Sequence, residues 1–142
     1  MKRQSSTSSA KDALVERGTR RARTAAKALE LGDIEGAYAA AYDSYRIAAE
    51  SLLARQGLRA TGGEGSHMTV EDSVSAQFAG SISGFAKPTF EQIRRTRHTA
   101  QYFDPSAPSI THADAEWAID KATTVVTSVT QLLSTSPPER FE

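Results

Sequence analysis

The stretch LGDIEGAYAAAYDSYRIAAESLL, residues 31–53, decides the fold class of this chain. Gly32 suits the position just after one helix, and Asp33 suits the N-cap of the next. Apolar side chains then recur at steps of three and four, as one face of a helix requires. These side chains belong to Ile34, Tyr38, Ala41, Tyr45, Ala48 and Leu52, with Ala37, Ala49 and Leu53 widening the stripe. The pattern predicts a central helix over about 34–56.

Two further helices are predicted on either side of this segment. The first runs from about Ser9 to Leu31, with a soft break at Gly18. Residues 57–66 contain four glycines and are predicted to form a loop. Ser66 can then cap a third, shorter helix over about 67–79.

The C-terminal part of the chain predicts two more helices. Pro88 suits the first turn of the fourth helix. Backbone N–H groups there have no acceptor within the helix, so the N–H that proline lacks is not missed. The segment DPSAP, 104–108, stops this helix near Tyr102. Thr111 and Asp114 form a capping-box-like start to the last helix. Its apolar stripe consists of Ala118, Ala122, Val125, Val129 and Leu132.

We therefore expect an all-α protein, an up-down helical bundle of four main helices plus a short extra one. A single domain is expected over 10–134, because the 142-residue length is typical of one domain. The polar segments 1–9 and 135–142 are expected to be flexible tails.

Composition excludes several classes of site. The chain has no cysteine, which rules out disulfides, thiolate zinc sites and cysteine nucleophiles and suits the cytoplasm. Its three histidines lack the spacing of metal ligands, so no metal and no cofactor are expected. The segment TGGEGS, 61–66, lacks the lysine and the strand of a phosphate-binding loop. No segment is long and apolar enough to span a bilayer.

Overall charge is balanced, with seventeen basic and seventeen acidic residues, but the basic residues cluster in two places. The cluster on the first helix could grip a nucleic-acid backbone, yet Glu16 and Glu30 interrupt it, which favours a solvated face. The second cluster lies on the fourth helix. The two sets are Arg17, Arg20, Arg21, Arg23 and Lys27, and Arg94, Arg95 and Arg97.

Arg97 occupies an unusual position on a helical wheel of the fourth helix. It falls between Phe90 and Ile93 on the apolar stripe, with Arg94 and Gln101 flanking it. An inward-facing guanidinium costs several kcal/mol unless it is paired or opens onto a polar cleft. Two interpretations stay open. Arg97 is either a structural residue, snorkelling or paired with an acid such as Asp43 or Asp104, or part of a phosphate-binding site.

The order of these segments resembles the HEPN superfamily of prokaryotic helical domains. The resemblance rests on AYAAAYDSYRIAAESLLARQGLRATGGEGSHMTVEDSV, 37–74, then FEQIRRTRHTAQYFDP, 90–105, and the capped last helix, and it covers about 10–134. HEPN ribonucleases carry an Arg, often a polar residue, and then a His near the end of a helix. Arg97 and His98 match the first two places, and Tyr102 stands where the final His would fall.

The resemblance implies a metal-independent endoribonuclease or RNA-binding protein of the toxin or defence type, or a non-catalytic module that binds a partner protein or a nucleotide. It implies a homodimer that shares one cleft, and in some systems a nucleotidyltransferase-like antitoxin as partner. In the catalytic version Arg97 stabilises the charge on phosphorus, and a His serves as general acid or base. Tyr102 is a poor proton carrier at neutral pH, so His98 would have to take that role.

The remaining candidates are contacts to nucleic acid. Arg94, Arg95 and Gln101 lie on the same helix as Arg97 and could touch a backbone. His67, after the glycine loop, could line the cleft, although a His at a helix start is more often a surface or capping residue. Tyr102 is otherwise expected to be a core aromatic residue with a hydrogen-bonded hydroxyl.

Overall fold

The computed structural model describes the backbone of residues 2–55, 64–101 and 110–135, and the side chains of 13–54, 70–97 and 110–134. Within these ranges the protein is an all-α bundle without strands, which confirms the predicted fold class. The helices are α1 (Lys2–Glu30), α2 (Ile34–Arg55), α3 (Glu64–Phe78), α4 (Lys87–Gln101) and α5 (His112–Thr135), with a 3₁₀ helix at Ser83–Phe85 before α4.

The turn between α1 and α2 forms as its sequence predicts. Gly32 has a φ of 86°, a left-handed conformation that glycine adopts without steric cost. The Asp33 backbone N–H donates to the Ala28 carbonyl at 2.9 Å, which closes the end of α1. The Asp33 side chain then accepts a hydrogen bond from the Gly36 N–H at 2.9 Å and caps α2. This short turn holds α1 and α2 as antiparallel neighbours.

The capping box of α5 is confirmed, but two helix starts differ from their predictions. Thr111 Oγ1 accepts from the Asp114 N–H at 3.0 Å, and Asp114 accepts from the Thr111 N–H at 2.9 Å. Helix α3 begins at Glu64, so Ser66 lies inside it and is not its cap. Helix α1 begins at Lys2 and not near Ser9, and it continues through Gly18. Residues 136–142 of the predicted C-terminal tail lie outside the described chain.

Helix α2 is the centre of the bundle and packs against all four of the other α-helices. Removing its apolar face from water drives the assembly, at roughly 1.5–3 kcal/mol per fully buried large side chain. The large side chains with almost no exposure are those of Tyr38, Tyr45, Leu52, Val70, Val74, Phe85, Ile93, Val125 and Val129. The stripe predicted for α2 is therefore the core face of that helix.

Two tyrosines of α2 hold α4 and the 3₁₀ helix against the core. The Tyr38 hydroxyl donates to the Ile93 carbonyl of α4 at 3.2 Å, and the Tyr45 hydroxyl donates to the Gly84 carbonyl of the 3₁₀ helix. The Tyr45 ring also packs edge-on against Phe90, with centroids 5.0 Å apart. Helix α4 is thus held against α2 by apolar contact and one hydrogen bond, and the second hydrogen bond holds the 3₁₀ helix.

Small residues allow close approach at two places. The Ser44 hydroxyl donates to the Gly18 carbonyl at 2.7 Å, which joins α2 to α1. A Cβ atom on Gly84 would lie 2.6 Å from Val125 Cγ1 on α5, so only glycine fits there without movement of its neighbours. None of the described helices combines the length and the apolar character that crossing a lipid bilayer requires.

Candidate functional site

Helix α4 places Arg97 on the inward side of the bundle, as the helical wheel predicts. The side chain is half-buried, and its guanidinium carbon lies 5.8 Å from the centroid of the Tyr42 ring on α2. At this distance a cation is attracted to the face of an aromatic ring. Arg97 therefore contacts a neighbouring helix, and does not extend away from the bundle.

Arg94, one turn before Arg97, forms an ion pair with Glu71 of α3. Its Nε donates to Glu71 Oε2, and its Nη2 lies 3.5 Å from Oε1. The Glu71 side chain is only 4% exposed, so its carboxylate depends on this partner. The hydrogen bond that Arg94 donates to the Glu71 carboxylate raises the pKa of Arg94 above its ordinary value. Arg94, expected to contact nucleic acid, thus has one structural partner already.

Glu71 is a site residue that was not predicted from the sequence, although a signal for it was present. Glu71 lies between Val70 and Val74, both of which are buried on α3. An acid on an apolar stripe requires a cationic partner in the folded protein. The same reasoning that singled out Arg97 on α4 applies to Glu71 on α3.

Tyr42 and Arg46 form the α2 side of the site, and they too were not predicted from the sequence. They lie one turn apart, on the same face of the helix. Arg46 Nη1 pairs with Glu50 Oε2 at 2.8 Å, whereas Arg46 Nε is buried and has no hydrogen-bond partner among the described residues. Neither residue belongs to a recognisable motif. Only the packing of α2 against α3 and α4 brings them to the arginines.

These side chains surround a small hollow that we call the arginine depression. Its volume is about 10 Å³, roughly the room that one water molecule needs and far below the 300–1,000 Å³ typical of small-molecule pockets. The hollow therefore has no room for a whole phosphate group or a nucleotide. Its lining residues are Tyr42, Tyr45, Arg46, Val70, Glu71 and Phe90.

The Tyr42 hydroxyl lies close enough to the charged side chains of this site for their charges to shift its pKa. Burial raises its pKa above the ordinary value, and the surrounding charges shift it further in both directions. Three guanidinium groups lower this pKa and one carboxylate raises it, so cationic groups predominate around the phenol. The four residues are Arg46, Glu71, Arg94 and Arg97. Tyr42 is therefore a neutral hydroxyl at physiological pH.

The structure brings Arg94 and Arg97 together but places Arg95 apart from them. The Arg95 side chain is 75% exposed and lies 3.9 Å from Glu91. His98 and Gln101 belong to α4, and His67 belongs to the first turns of α3 and does not start that helix, but the side chains of all three lie outside the described residues. Tyr102 lies outside them altogether, as does Asp104. Asp43, one acid considered for Arg97, pairs with Arg21 at 3.3 Å.

The basic cluster on α1 faces solvent except at Arg21, which is half-buried and pairs with Asp43 of α2. Arg17, Arg20, Arg23 and Lys27 are exposed, and Lys27 pairs with Glu30 at 3.3 Å. This placement agrees with a solvated face.

Comparisons of the chain with protein-family models, with curated proteins and with solved structures gave no match.

Proposed function

We propose that this chain is an RNA-directed helical protein of the HEPN type, in which Arg97 contacts a phosphodiester. The observation that carries the proposal is the half-buried guanidinium of Arg97, set over the Tyr42 ring at 5.8 Å on the inward side of α4. A planar guanidinium suits this role, because it can make two parallel hydrogen bonds to phosphate oxygens. The resemblance of 90–105 to the HEPN motif supports the same assignment.

In the proposed reaction the RNA 2′-hydroxyl attacks the adjacent phosphorus without a metal ion. Arg97 stabilises the negative charge that develops on the phosphorane oxygens. A proton must leave the hydroxyl and another must reach the departing oxygen. His98 is the candidate for this transfer, because Tyr102 occupies the place of the usual His and a phenol titrates too high. Turnover therefore depends on His98, whereas RNA binding does not.

The proposal includes a homodimer and a cytoplasmic site of action, where RNA is present. Two copies of α4 would then contribute Arg97 and His98 to one cleft. Light scattering at micromolar concentration tests this part, and a monomer would remove the shared cleft. A nucleotidyltransferase-like antitoxin, encoded beside this chain, is the proposed protein partner.

Incubation of the purified protein with total RNA in EDTA tests the proposed function. We expect cleavage that persists in EDTA and leaves cyclic-phosphate ends, or RNA retention without cleavage if His98 does not act. Either activity should be lost in Arg97→Ala. The matched control is Arg23→Ala, which removes the same charge from an exposed position on α1. Loss in both variants, or activity equal in all three proteins, would contradict the proposal.

The second candidate is a non-catalytic HEPN-like module that binds a partner protein. The replacement of the final His by Tyr102 favours it, while the small size of the depression disfavours the nucleotide-binding version. The absence of both cleavage and RNA retention in the wild type would favour this candidate.

A further inference from the structure

We propose that Tyr42 is a positioning residue, whose ring on α2 holds the guanidinium of Arg97 on α4 in the orientation in which it meets a phosphodiester. That the guanidinium meets RNA rests on the proposed function. That the ring holds the guanidinium does not, and NMR of the protein without RNA tests this contact directly.

The ring of Tyr42 is a firmly held support. Tyr42 lies on the central helix α2, is half-buried, and packs against the hydrophobic core. One turn earlier on α2, the Tyr38 hydroxyl donates to the Ile93 carbonyl at 3.2 Å, and Ile93 lies one turn before Arg97 on α4. The two helices that carry Tyr42 and Arg97 are therefore joined by a hydrogen bond at the neighbouring turns, which limits how far the ring and the guanidinium can move apart.

Arg97 needs such a support in order to bind well. An arginine side chain loses much rotamer freedom when it is ordered, and a site that is ordered before its ligand arrives binds that ligand more tightly. The guanidinium carbon of Arg97 lies 5.8 Å from the centroid of the Tyr42 ring, within the range of cation–π attraction. The ring therefore restrains Arg97 in the protein without RNA.

A ring and a carboxylate restrain a guanidinium in different ways. Arg94 directs its Nε and Nη2 groups at the Glu71 carboxylate, which also compensates its charge. A cation–π contact takes up no N–H donor and leaves the positive charge in place. Of these two arginines, Arg97 is therefore the one whose restraint by its neighbour is compatible with binding a phosphate group.

The ring of Tyr42, and not its hydroxyl, is the part that acts on Arg97. Burial raises the pKa of Tyr42, so the phenol is neutral at physiological pH and forms no phenolate–guanidinium ion pair. Tyr42→Phe should therefore keep the contact, whereas Tyr42→Leu removes it. This pair of variants separates a positioning ring from a hydrogen-bonding hydroxyl.

NMR relaxation of the Arg97 Nε–H group measures the restraint in the protein without RNA. We expect a rigid group in the wild type and in Tyr42→Phe, and a clearly more mobile one in Tyr42→Leu. Circular dichroism checks the fold of each variant, and Tyr42→Met is the second ring-free variant if Tyr42→Leu does not fold. Equal mobility in the wild type and the ring-free variant, or equal loosening in Tyr42→Phe, would overturn the inference.

RNA retention or cleavage then tests the consequence for function. Tyr42→Leu should weaken either activity by about two- to tenfold, as the loss of one cation–π contact predicts, and Tyr42→Phe should restore it. The matched control is Trp117→Leu, which removes another ring–cation contact, with Lys121 Nζ 6.0 Å from the Trp117 centroid on α5. This control should act on RNA as the wild type does.

The outcomes separate this inference from the proposed function. Activity lost in Arg97→Ala but kept in Tyr42→Leu would uphold the proposed function and reject the positioning role. Equal losses in Tyr42→Leu and Trp117→Leu would also reject that role, because any lost aromatic packing would then have the same effect. A wild type without RNA activity would reject the proposed function, and the mobility of Arg97 would still decide whether the ring holds it.

Discussion

At the scale of single residues, the site depends on one buried carboxylate. Glu71 is 4% exposed and pairs with Arg94 across the α3–α4 interface, while one turn on, Arg97 lies over Tyr42. Removing one partner of a buried ion pair leaves the other charge without compensation, whereas removing both restores an apolar contact. The Glu71–Arg94 pair therefore helps to hold α3 against α4.

We predict that Arg94→Met, which leaves the Glu71 carboxylate buried and unpaired, lowers the free energy of unfolding by about 3–5 kcal/mol. Glu71→Met should cost less, because the Arg94 side chain is 31% exposed and can reach water. The double variant should be more stable than Arg94→Met alone. Urea denaturation followed by circular dichroism measures all three.

A control for this prediction exists on the same two helices. Lys87 of α4 pairs with Asp72 of α3, but both side chains are substantially exposed, at 42% and 60%. Asp72→Met should therefore change stability little, because water screens exposed pairs. Equal losses in Glu71→Met and Asp72→Met would contradict the assignment of Glu71 as a buried anchor.

At the scale of elements, local sequence chemistry predicted those helix ends that carry their own caps. The Asp33 side chain accepts from the Gly36 N–H, and Thr111 and Asp114 bond each other. Each partner lies three residues away, so the signal is local. The start of α3 at Glu64 was not predicted, because glycines at 62, 63 and 65 indicated a loop there. Helix propensity is a weak prior that packing can override.

The 3₁₀ helix provides a test at the same scale. We predict that Gly84→Ala lowers the free energy of unfolding by about 1–3 kcal/mol, because the added Cβ would lie 2.6 Å from Val125 Cγ1 in the core. Gly80→Ala is the matched control, since its Cβ meets nothing within 4 Å. Thermal denaturation compares the two. A Gly84→Ala protein as stable as the control would show that α5 yields to the added methyl group.

At the scale of the whole molecule, buried tyrosines link stability to alkaline pH. Burial raises the pKa of Tyr38 and of Tyr45 above the ordinary value of 10.0. Above about pH 10 the unfolded chain releases these phenol protons while the folded chain retains them. The folded state therefore loses stability as the pH rises past about 10, and these groups contribute no pH dependence below it.

We predict that the urea midpoint falls between about pH 9 and about pH 11, and that it falls less in Tyr45→Phe, which has one buried phenol fewer. Comparison of the two proteins removes the effect of lysines and arginines, which titrate in both. Parallel curves for wild type and Tyr45→Phe would contradict the assignment.

The sequence also shows why the fold was more predictable than the site. The stripe of α2 is a property of one segment, and the structure buries its residues except Ile34, which is half-buried. The inward position of Arg97 likewise follows from its own helix. Its neighbours Tyr42, Arg46 and Glu71 come from two other helices, and no spacing within one segment indicates which side chains meet across an interface.

The three-residue turn at Leu31–Asp33 has a consequence for the nascent chain. Closing so short a loop costs little entropy, so α1 and α2 can pair as soon as both have been synthesised. Helix α5, which covers another side of α2, is made much later. Until then the face of α2 that α5 will cover remains open to solvent, and exposed apolar surface of this kind favours aggregation.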